Sequence, residues 1–376
     1  MSLPIRYVDD AQALDEAVAA CRHVSVVSID TEFMRSKTYY PIVGLVQIYD
    51  GTTAWLVDPV AIDDISPISS VLGDAKILKV FHACSEDLEV FERCLGTLPR
   101  PVFDTQIAGA AAGKGYSVGY QGLVEELLSV SIPKEETRSD WLQRPLTAKQ
   151  IEYAALDVIY LQQMYNQLVE LLSGTGKLEW IEEECEAVLE ETVITTNPDK
   201  FYLRMKTAWR LDRQQLNVLK TLCAWREVTA RRLDIPRNWV VDDKVLFTIA
   251  KSGLADKRDL KEKALMASGQ IRKYGEEILA LADQARQVPL EQCPPPVLRP
   301  ARAPDTETMT KIQQMIDDKA QALNVSRELL ARKKHLEQLF GSLEDNGGYR
   351  LPPILSGWRK KVIGDDLLKV LNEKVM

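Results

Sequence analysis

The sequence contains few of the residues that build zinc clusters and disulfide frameworks. Its 376 residues include three histidines and six cysteines, and no two cysteines form a CxxC motif. Zinc clusters and small disulfide-rich folds both need closely spaced Cys or His residues. We therefore expect no zinc cluster, and we expect reduced thiols, which are typical of proteins that stay in the cytoplasm.

Long apolar runs are also absent. No uninterrupted apolar stretch reaches the length of about 18 residues that a membrane-spanning helix needs. The amino terminus, Met-Ser-Leu-Pro-Ile-Arg, lacks the charged start and the following apolar run of a secretory signal. The sequence therefore predicts a cytoplasmic protein with no membrane partner.

The net charge of −8 conceals an asymmetry. Residues 1–200 hold 15 Lys and Arg against 32 Asp and Glu, a net charge of −17, whereas residues 201–376 hold 32 against 23, a net charge of +9. A basic half favours contact with a phosphate backbone, because cationic side chains release its counterions. Ordinary solvated helix faces give the same excess, so charge alone leaves both interpretations open.

Hydrophobic patterning divides the chain into an α/β half and a helical half. An apolar, β-branched run at 24–30 and the segments 45–49 and 54–57 predict three adjacent antiparallel strands, with Asp50-Gly51 as a hairpin turn. Strand–helix pairs follow at 77–95 and from Val102 to Thr105, and then a helix with Thr147 as its N-cap. This order predicts a mixed sheet flanked by helices.

The basic half is predicted to be all helix, with one interruption. Six of the 18 prolines fall within residues 289–304, a density that favours a semi-rigid linker. On either side, residues 230–237 and 320–327 share the pattern Ala-x-x-Leu-(Asp/Asn)-(Ile/Val)-x-Arg. The pattern suggests an internal repeat, although a match of eight residues can also arise by chance.

Four carboxylates from separate elements are candidates for chemistry. Asp30 and Glu32 end the first strand and share one of its faces, and Asp87 lies in the first turn of a helix. Tyr153 and Asp157 lie four residues apart on a later helix, so they project from one side. Each has a structural alternative, namely a solvated strand end, a helix cap or a surface pair.

Taken together, the four carboxylates predict a site for two divalent cations. Mg²⁺ and Mn²⁺ prefer oxygen ligands and are usually completed by substrate phosphates. Two such ions can activate water on one side of a phosphodiester and stabilise the leaving oxygen on the other. An unperturbed phenol titrates near about 10, so Tyr153 is better suited to orient the attacking water than to deprotonate it.

The same residues carry a resemblance to a known family. Residues 29–33 (IDTEF), 82–87 (HACSED) and 153–157 (YAALD) resemble, in order, the three exonuclease motifs of the DEDD superfamily with a tyrosine in its third motif. Phe103-Asp104-Thr105 and Ser139-Asp140-Trp141, together with the helical tail, narrow the resemblance to the ribonuclease D family.

The resemblance implies an RNase H-like α/β exonuclease domain followed by two all-α helical-bundle domains. In this sequence the exonuclease domain would span 1–195 and the first helicase-and-RNase-D C-terminal (HRDC) domain 207–288. The proline-rich linker would span 289–308, and a second HRDC-like domain 309–376. Nearly the whole chain is covered.

The resemblance also implies a role for each acidic residue. Asp30, Glu32 and Asp157 match the ligands of the ion that activates water, and Asp30 also bridges to the second ion. Asp87 matches the carboxylate that holds the water shell of that second ion. Tyr153 matches the residue that positions the attacking water.

Further residues are candidate substrate contacts, each with a structural alternative. His82 could touch the scissile region, or be a satisfied group at the end of a strand. Phe33 and Trp141 could stack on terminal bases, or pack in the core. Arg231 and Arg232 could contact phosphates, or form a solvated helix face.

We therefore expect a 3′→5′ exoribonuclease that releases nucleoside 5′-monophosphates one at a time. The resemblance further implies RNA with a single-stranded 3′ end, notably precursor tRNA, as its substrate. Two alternatives stay open: a DNA 3′→5′ exonuclease, since the carboxylates recognise a phosphodiester and not necessarily the 2′-OH, and an RNA-binding adaptor whose nuclease domain is inactive.

Overall fold

The structure, a computed structural model, describes six stretches of the chain: residues 4–132, 139–194, 197–254, 256–297, 304–343 and 348–372. Side chains at 193 and 194 are not described, and Pro300 of the predicted linker lies outside the described residues. The chain divides into two compact units. The first contains residues 1–34, 41–192 and 303–376, and the second contains residues 35–40 and 193–302.

A six-stranded mixed sheet forms the centre of the first unit. Its order is β1-β4-β3-β2-β5-β6, and β3 runs antiparallel to both β2 and β4, whereas the other neighbours are parallel. The strands are β1 (Ile5–Val8), β2 (Val26–Met34), β3 (Ile42–Tyr49), β4 (Ala54–Val57), β5 (Leu78–Phe81) and β6 (Val102–Asp104).

The predicted antiparallel meander is confirmed. Strands β2, β3 and β4 are neighbours in chain order, and the turn between β3 and β4 contains Gly51 with a φ of 93°. Such a positive φ suits glycine because it has no Cβ. The sequence pattern did not predict β1, whose four residues give too short an alternation of apolar and polar side chains.

Helices cover the sheet, and one of them carries part of the site. Helix α6 begins after Thr147, whose side chain accepts from Gln150 N while the Gln150 side chain accepts from Thr147 N. This capping box confirms the predicted helix start. The helices of this part are α1 (Ala11–Cys21), α2 (Ser69–Leu72), α3 (Ser85–Leu95), α4 (Thr105–Ala111), α5 (Tyr120–Leu128), α6 (Ala148–Leu172) and α7 (Leu178–Ile194).

The second unit is a helical bundle, as its sequence pattern predicts. Its helices are α8 (Arg213–Leu233), α9 (Arg237–Val240), α10 (Asp243–Ser252), α11 (Lys257–Glu262) and α12 (Ser268–Arg286). The segment 35–40 belongs to the same unit, and its Tyr39 is 5% exposed within the bundle core. The Tyr39 hydroxyl donates to Glu227, which also accepts from Arg231 and Arg237.

The last four helices pack within the first unit. They are α13 (Thr306–Leu323), α14 (Arg327–Leu330), α15 (Lys333–Phe340) and α16 (Asp365–Asn372). Helix α13 begins inside the range predicted as linker. Helix α7 holds this part of the chain, because the Trp180 and Trp358 rings stack with centroids 4.4 Å apart and Glu184 pairs with the buried Arg359. Helices long and apolar enough to cross a membrane are absent from the described residues.

The two suspected repeats fold alike. Helix α8 ends at Leu233 and is followed by Asp234 in a left-handed conformation, and α13 ends at Leu323 and is followed by Asn324 in the same conformation. A four-residue helix and then a longer helix come next in both cases. The shared corner supports duplication, because Asp and Asn tolerate left-handed geometry better than most residues.

Candidate active site

Strand β2 supplies two of the predicted carboxylates. Asp30 pairs with Gln47 of β3, and Glu32 pairs with Leu45, so both acidic side chains share the face that carries Leu45. Leu45 packs in a core cluster with Ala154 and Val158 of α6. The face that carries Asp30 and Glu32 is therefore the face covered by α6. The pairing of β2 with β3 shifts register between Glu32 and Phe33, directly after the two carboxylates.

Helix α6 supplies the third carboxylate and the tyrosine. Asp157 is 5% exposed, and the Tyr153 side chain, one turn earlier, hydrogen-bonds to it. The Tyr120 hydroxyl of α5 donates to the Asp157 carbonyl, which fixes this turn of the helix. Trp141 is buried beside Tyr153, with ring centroids 6.1 Å apart. The tyrosine ring is thus held from one side.

The carboxylates of Asp30, Glu32 and Asp157 converge. Each offers an oxygen that lies within 4.8 Å of the corresponding oxygens of the other two. Asp157 Oδ1 is also buried with no hydrogen-bond partner. Carboxylates so close repel one another unless a cation or a proton lies between them. The structure therefore brings together three of the four predicted metal ligands.

Burial raises the pKa of every carboxyl group here, and repulsion by neighbouring carboxylates raises the pKa of Glu32, Asp87 and Asp157 further. Burial is the main cause that raises the pKa of Asp30 to about 6. Burial, followed by the charges of Asp30, Asp157 and Asp87, raises the pKa of Glu32 to about 10. The pKa values of Asp157 and Asp87 lie well above the ordinary range, because of burial first and the Asp30 charge second. In the absence of cations the cluster retains protons.

Asp87 lies at the edge of this cluster. It occupies the first turn of α3, is 7% exposed, and accepts a 2.5 Å hydrogen bond from the Thr31 hydroxyl. Thr31 lies between Asp30 and Glu32 on β2. The hydroxyl therefore connects the helix that bears Asp87 to the strand that bears the other carboxylates, a connection that the sequence motifs did not indicate.

Asp104 fixes the turn before Asp87. Its carboxylate accepts from the backbone N–H groups of Ala83 and Cys84, at 3.0 and 2.9 Å, and also caps α4 through Gln106 N. Ala83 has a φ of 59°, a conformation that a non-glycine residue needs neighbouring bonds to hold. Asp104 thus combines a bracing role with a capping role.

The structure places His82 in a hydrogen-bonded position. Its Nδ1 lies 2.9 Å from Thr105 Oγ1, and its Nε2 lies 3.1 Å from the Val118 carbonyl oxygen. Burial lowers its pKa. Both ring nitrogens are engaged by the protein itself, as in the structural alternative for this residue.

The remaining predicted substrate contacts lie in different environments. Phe33 is partly exposed at the end of β2, next to the carboxylates in sequence, whereas Trp141 is 3% exposed. Arg231 is paired with Glu227 inside the second unit, and Arg232 is exposed there. The structure thus leaves Phe33 and Arg232 accessible and places Trp141 and Arg231 in packed surroundings.

An arginine clamp that no sequence motif indicates holds the segment that contains Trp141. Arg144 donates to both Asp58 oxygens, at 2.6 and 2.5 Å, and to the backbone carbonyls of Gly44 and Trp141. A Cβ on Gly44 would lie 2.5 Å from the Trp141 carbonyl oxygen, so only glycine allows this approach. Distant pairs such as Arg144 and Asp58 leave no signal in one sequence.

The donor set fits hard divalent cations. All the converging groups are carboxylates, and they are close together. Oxygen-rich sites of this kind suit Mg²⁺ or Mn²⁺. The structure thus offers a cation site where the sequence motifs predict one.

Three family profiles match the chain. The 3′-5′ exonuclease family matches residues 5–173, the HRDC domain family matches residues 215–281, and the ribonuclease D C-terminal HRDC domain family matches residues 306–367. Together they follow the order that the sequence motifs predict.

Full-length relatives give the same result. The chain is 40% identical over 367 residues to a ribonuclease D of Pseudomonas paraeruginosa, covering 98% of this chain and 97% of that protein. It is 37% identical over 370 residues to the Escherichia coli ribonuclease D, covering 97% of each.

Solved structures agree with the sequence comparisons. The crystal structure of Escherichia coli RNase D, described as an exoribonuclease involved in structured RNA processing, matches 99% of each chain with a TM-score of 0.89 and 34% identity. The catalytic core of RRP6 from Trypanosoma brucei shares the fold over 76% of this chain and 80% of that one, with a TM-score of 0.55 and 22% identity. The chain therefore belongs to the ribonuclease D family of 3′→5′ exoribonucleases.

Proposed function

We propose that the protein removes nucleotides one at a time from the 3′ end of RNA, using two divalent cations held by Asp30, Glu32, Asp87 and Asp157. The convergence of three carboxylate oxygens within 4.8 Å carries this proposal. When bound, such ions supply the activation of water and the neutralisation of charge on the scissile phosphate. Because water is the nucleophile, no covalent enzyme intermediate is needed.

The carboxylates of the chain have different roles in holding the cations. Asp30, Glu32 and Asp157 hold the cations and lose their retained protons as the site fills. Asp87, held by the Thr31 hydroxyl, would offer a carboxylate to the water shell of a second ion. These residues fix charge and position before RNA arrives, which lowers the reorganisation that the reaction requires.

In this proposal Tyr153 orients the attacking water. Its side chain already bonds to Asp157, and the adjacent buried Trp141 limits the positions of its ring. A phenol is a poor base at neutral pH. It can still accept or donate one hydrogen bond and hold the water in line with the phosphodiester.

The helical second unit offers a cleft that suits RNA. The cleft has a volume of about 1170 Å³, beyond the roughly 300–1,000 Å³ typical of small-molecule pockets. Two acidic residues, Asp242 and Asp243, line it against six basic ones: Arg35, Arg204, Arg226, Arg237, Lys244 and Lys263. Its size and positive charge suit a stretch of nucleic-acid backbone.

We assign structured RNAs with unpaired 3′ tails, notably precursor tRNA, as the substrates. The Escherichia coli relative is described as acting in structured RNA processing. The cytoplasm is the compartment where such RNAs would be met, and the six cysteines are all free thiols, as that compartment requires.

Product analysis tests the proposal. An RNA duplex with a short 3′ overhang is incubated with the full-length protein and Mg²⁺ or Mn²⁺, with and without chelator, beside the matched DNA. We expect nucleoside 5′-monophosphates from RNA only when metal is present. An intact RNA 3′ end would favour the binding adaptor, and equal digestion of DNA would favour a general 3′→5′ exonuclease.

A further inference from the structure

Gln47 is a buried amide without hydrogen-bond partners, in the middle of the sheet. It is 0% exposed, and neither its Nε2 nor its Oε1 atom has a hydrogen-bond partner. A buried amide that makes no hydrogen bond destabilises the folded state, because its polar atoms have lost water without gaining a partner. Since native proteins leave few such groups, each one requires an explanation, such as an ion, a water or a second conformation.

The strand register places Gln47 next to the carboxylate site. Gln47 lies directly opposite Asp30 on β2 and opposite Leu56 on β4. Directly opposed residues of antiparallel strands have Cβ atoms about 4.5–5.5 Å apart on the same face. Leu56 and Leu45 pack against Ala154 and its neighbours on α6. The amide therefore projects into the layer between the sheet and α6, where Asp157 also lies.

Two further buried atoms in this layer lack partners, and their types are complementary to the amide. Asp157 Oδ1 is an acceptor, and Trp141 Nε1 is a donor. Trp141 belongs to the same cluster as Leu45 and Leu56. One bond from Gln47 Nε2 to Asp157 and one from Trp141 Nε1 to Gln47 Oε1 would satisfy all four orphan atoms.

We propose that Gln47 is a positioning residue of the cation site: its amide donates to the buried oxygen of Asp157 when the site is loaded, with Trp141 holding the other end of the amide. The inference rests on the proposed two-cation function. Gln47 does not touch RNA or the ions in this scheme. It fixes the carboxylate that binds them, as ligand-orienting residues behind metal sites commonly do.

The test measures Mn²⁺ affinity directly in the full-length protein, by calorimetry or electron paramagnetic resonance, beside thermal unfolding in chelator. Gln47→Met keeps an unbranched side chain but removes both polar atoms. We expect Mn²⁺ affinity to fall by about 10–100-fold. We also expect the midpoint of metal-free unfolding to stay the same or rise, because an unpaired buried amide is removed.

Asn217→Leu is the matched control. Asn217 is also a buried amide, but it donates to the Ala285 carbonyl at 2.8 Å, in the second unit. Loss of this hydrogen-bonded amide in Asn217→Leu should lower the unfolding midpoint and leave Mn²⁺ affinity unchanged. Trp141→Phe should weaken Mn²⁺ binding by less than Gln47→Met does.

Unchanged Mn²⁺ affinity in Gln47→Met, or in Gln47→Leu should the first variant not fold, would overturn the inference. So would a fall in the metal-free midpoint as large as that of Asn217→Leu, since the amide would then have a structural partner. Asp157→Asn is titrated in parallel. If that variant also binds Mn²⁺ normally, the cation site itself is misassigned, which is a different failure.

Discussion

Each acidic residue of the site is costly to bury as an ionised group. Together, these residues can hold a cation. Burial raises the pKa values of Asp30, Glu32 and Asp157, and the Asp30 charge raises those of Glu32 and Asp157 further. The fold tolerates this cost because the same cluster gains a cation's binding free energy. A local excess of buried negative charge is thus a functional feature of the protein.

Removing one of these carboxylates should lower activity without lowering the stability of the metal-free protein. Asp157→Asn should lower the rate of RNA digestion by at least about 100-fold, because a cation ligand is lost. The chelated variant should unfold at a temperature no lower than the chelated wild type, since burial disfavours ionisation of Asp157 and the amide avoids that cost. Single-turnover digestion and thermal unfolding measure the two effects. Wild-type digestion rates would contradict the ligand assignment.

The raised pKa values also predict how metal binding depends on pH. A carboxyl group whose folded pKa exceeds its unfolded value binds extra protons when folded, so the metal-free protein loses stability as pH rises through that interval. For Asp30 the interval ends at about 6, and for Glu32 at about 10. Cations displace those protons. The difference in unfolding temperature between Mg²⁺ and chelator should therefore be larger at about pH 8 than at about pH 6.

The control for this experiment is Glu32→Gln, which removes a carboxyl group whose pKa is raised to about 10. Its metal-dependent stabilisation should be small and should vary less with pH. An equal metal effect at both pH values in the wild type would show that the carboxyl groups are already ionised without metal.

Helix α7 connects the exonuclease fold to the last helices of the first unit. Glu184 accepts from both Nη atoms of Arg359 and from Trp358 Nε1, and the Arg359 side chain is only 6% exposed. Lys177, just before the helix, donates to the Leu323 and Asn324 carbonyls at the left-handed corner after α13. The corner of the second repeat is therefore a docking point.

Glu184→Ala should destabilise this unit severely. The substitution leaves the buried Arg359 guanidinium without its carboxylate, which costs about 3–5 kcal/mol in free energy of unfolding. Glu186 on the same helix is the matched control, because its partner Arg100 is 50% exposed. Glu186→Ala should cost less than about 1 kcal/mol. Urea unfolding of both variants measures the difference, and equal losses would refute the special role of the buried pair.

At the scale of the whole molecule, the proposed function gives two tasks to two differently charged parts of the chain. The carboxylate site belongs to the first unit, and the basic cleft belongs to the second. Acidic groups that collect cations would repel RNA if they had to bind it unaided. A separate basic surface can hold the phosphate backbone without disturbing the ligands of the cations.

The basic cleft should determine how RNA binding responds to salt. Lys244→Ala combined with Lys263→Ala should weaken binding and reduce the slope of log affinity against log salt by about 0.7 for each lost phosphate contact. Arg258→Ala is the control, since Arg258 is 79% exposed and does not line the cleft. Fluorescence anisotropy in the Asp157→Asn background avoids digestion. An unchanged slope in the double variant would show that RNA does not bind in the cleft.

Local sequence patterns determined much of the fold. The meander, the strand–helix pairs and the start of α6 at Thr147 follow from alternation of apolar residues and from capping chemistry, which act over a few residues. The motifs that contain Asp30, Asp87 and Asp157 could also be recognised in the sequence, because short-range spacing fixes which side chains share a face. The ribonuclease D family resemblance rests on those same motifs.

Only the tertiary structure decided which distant groups meet. The Arg144 clamp on Asp58, the Thr31 bond to Asp87 and the burial of Gln47 opposite Asp30 join segments far apart in the chain. It also decided that Tyr39 bonds to Glu227 and that the last helices pack with the exonuclease fold. Hydrogen bonds and burial depend on three-dimensional approach, which the period of a helix or a strand does not encode.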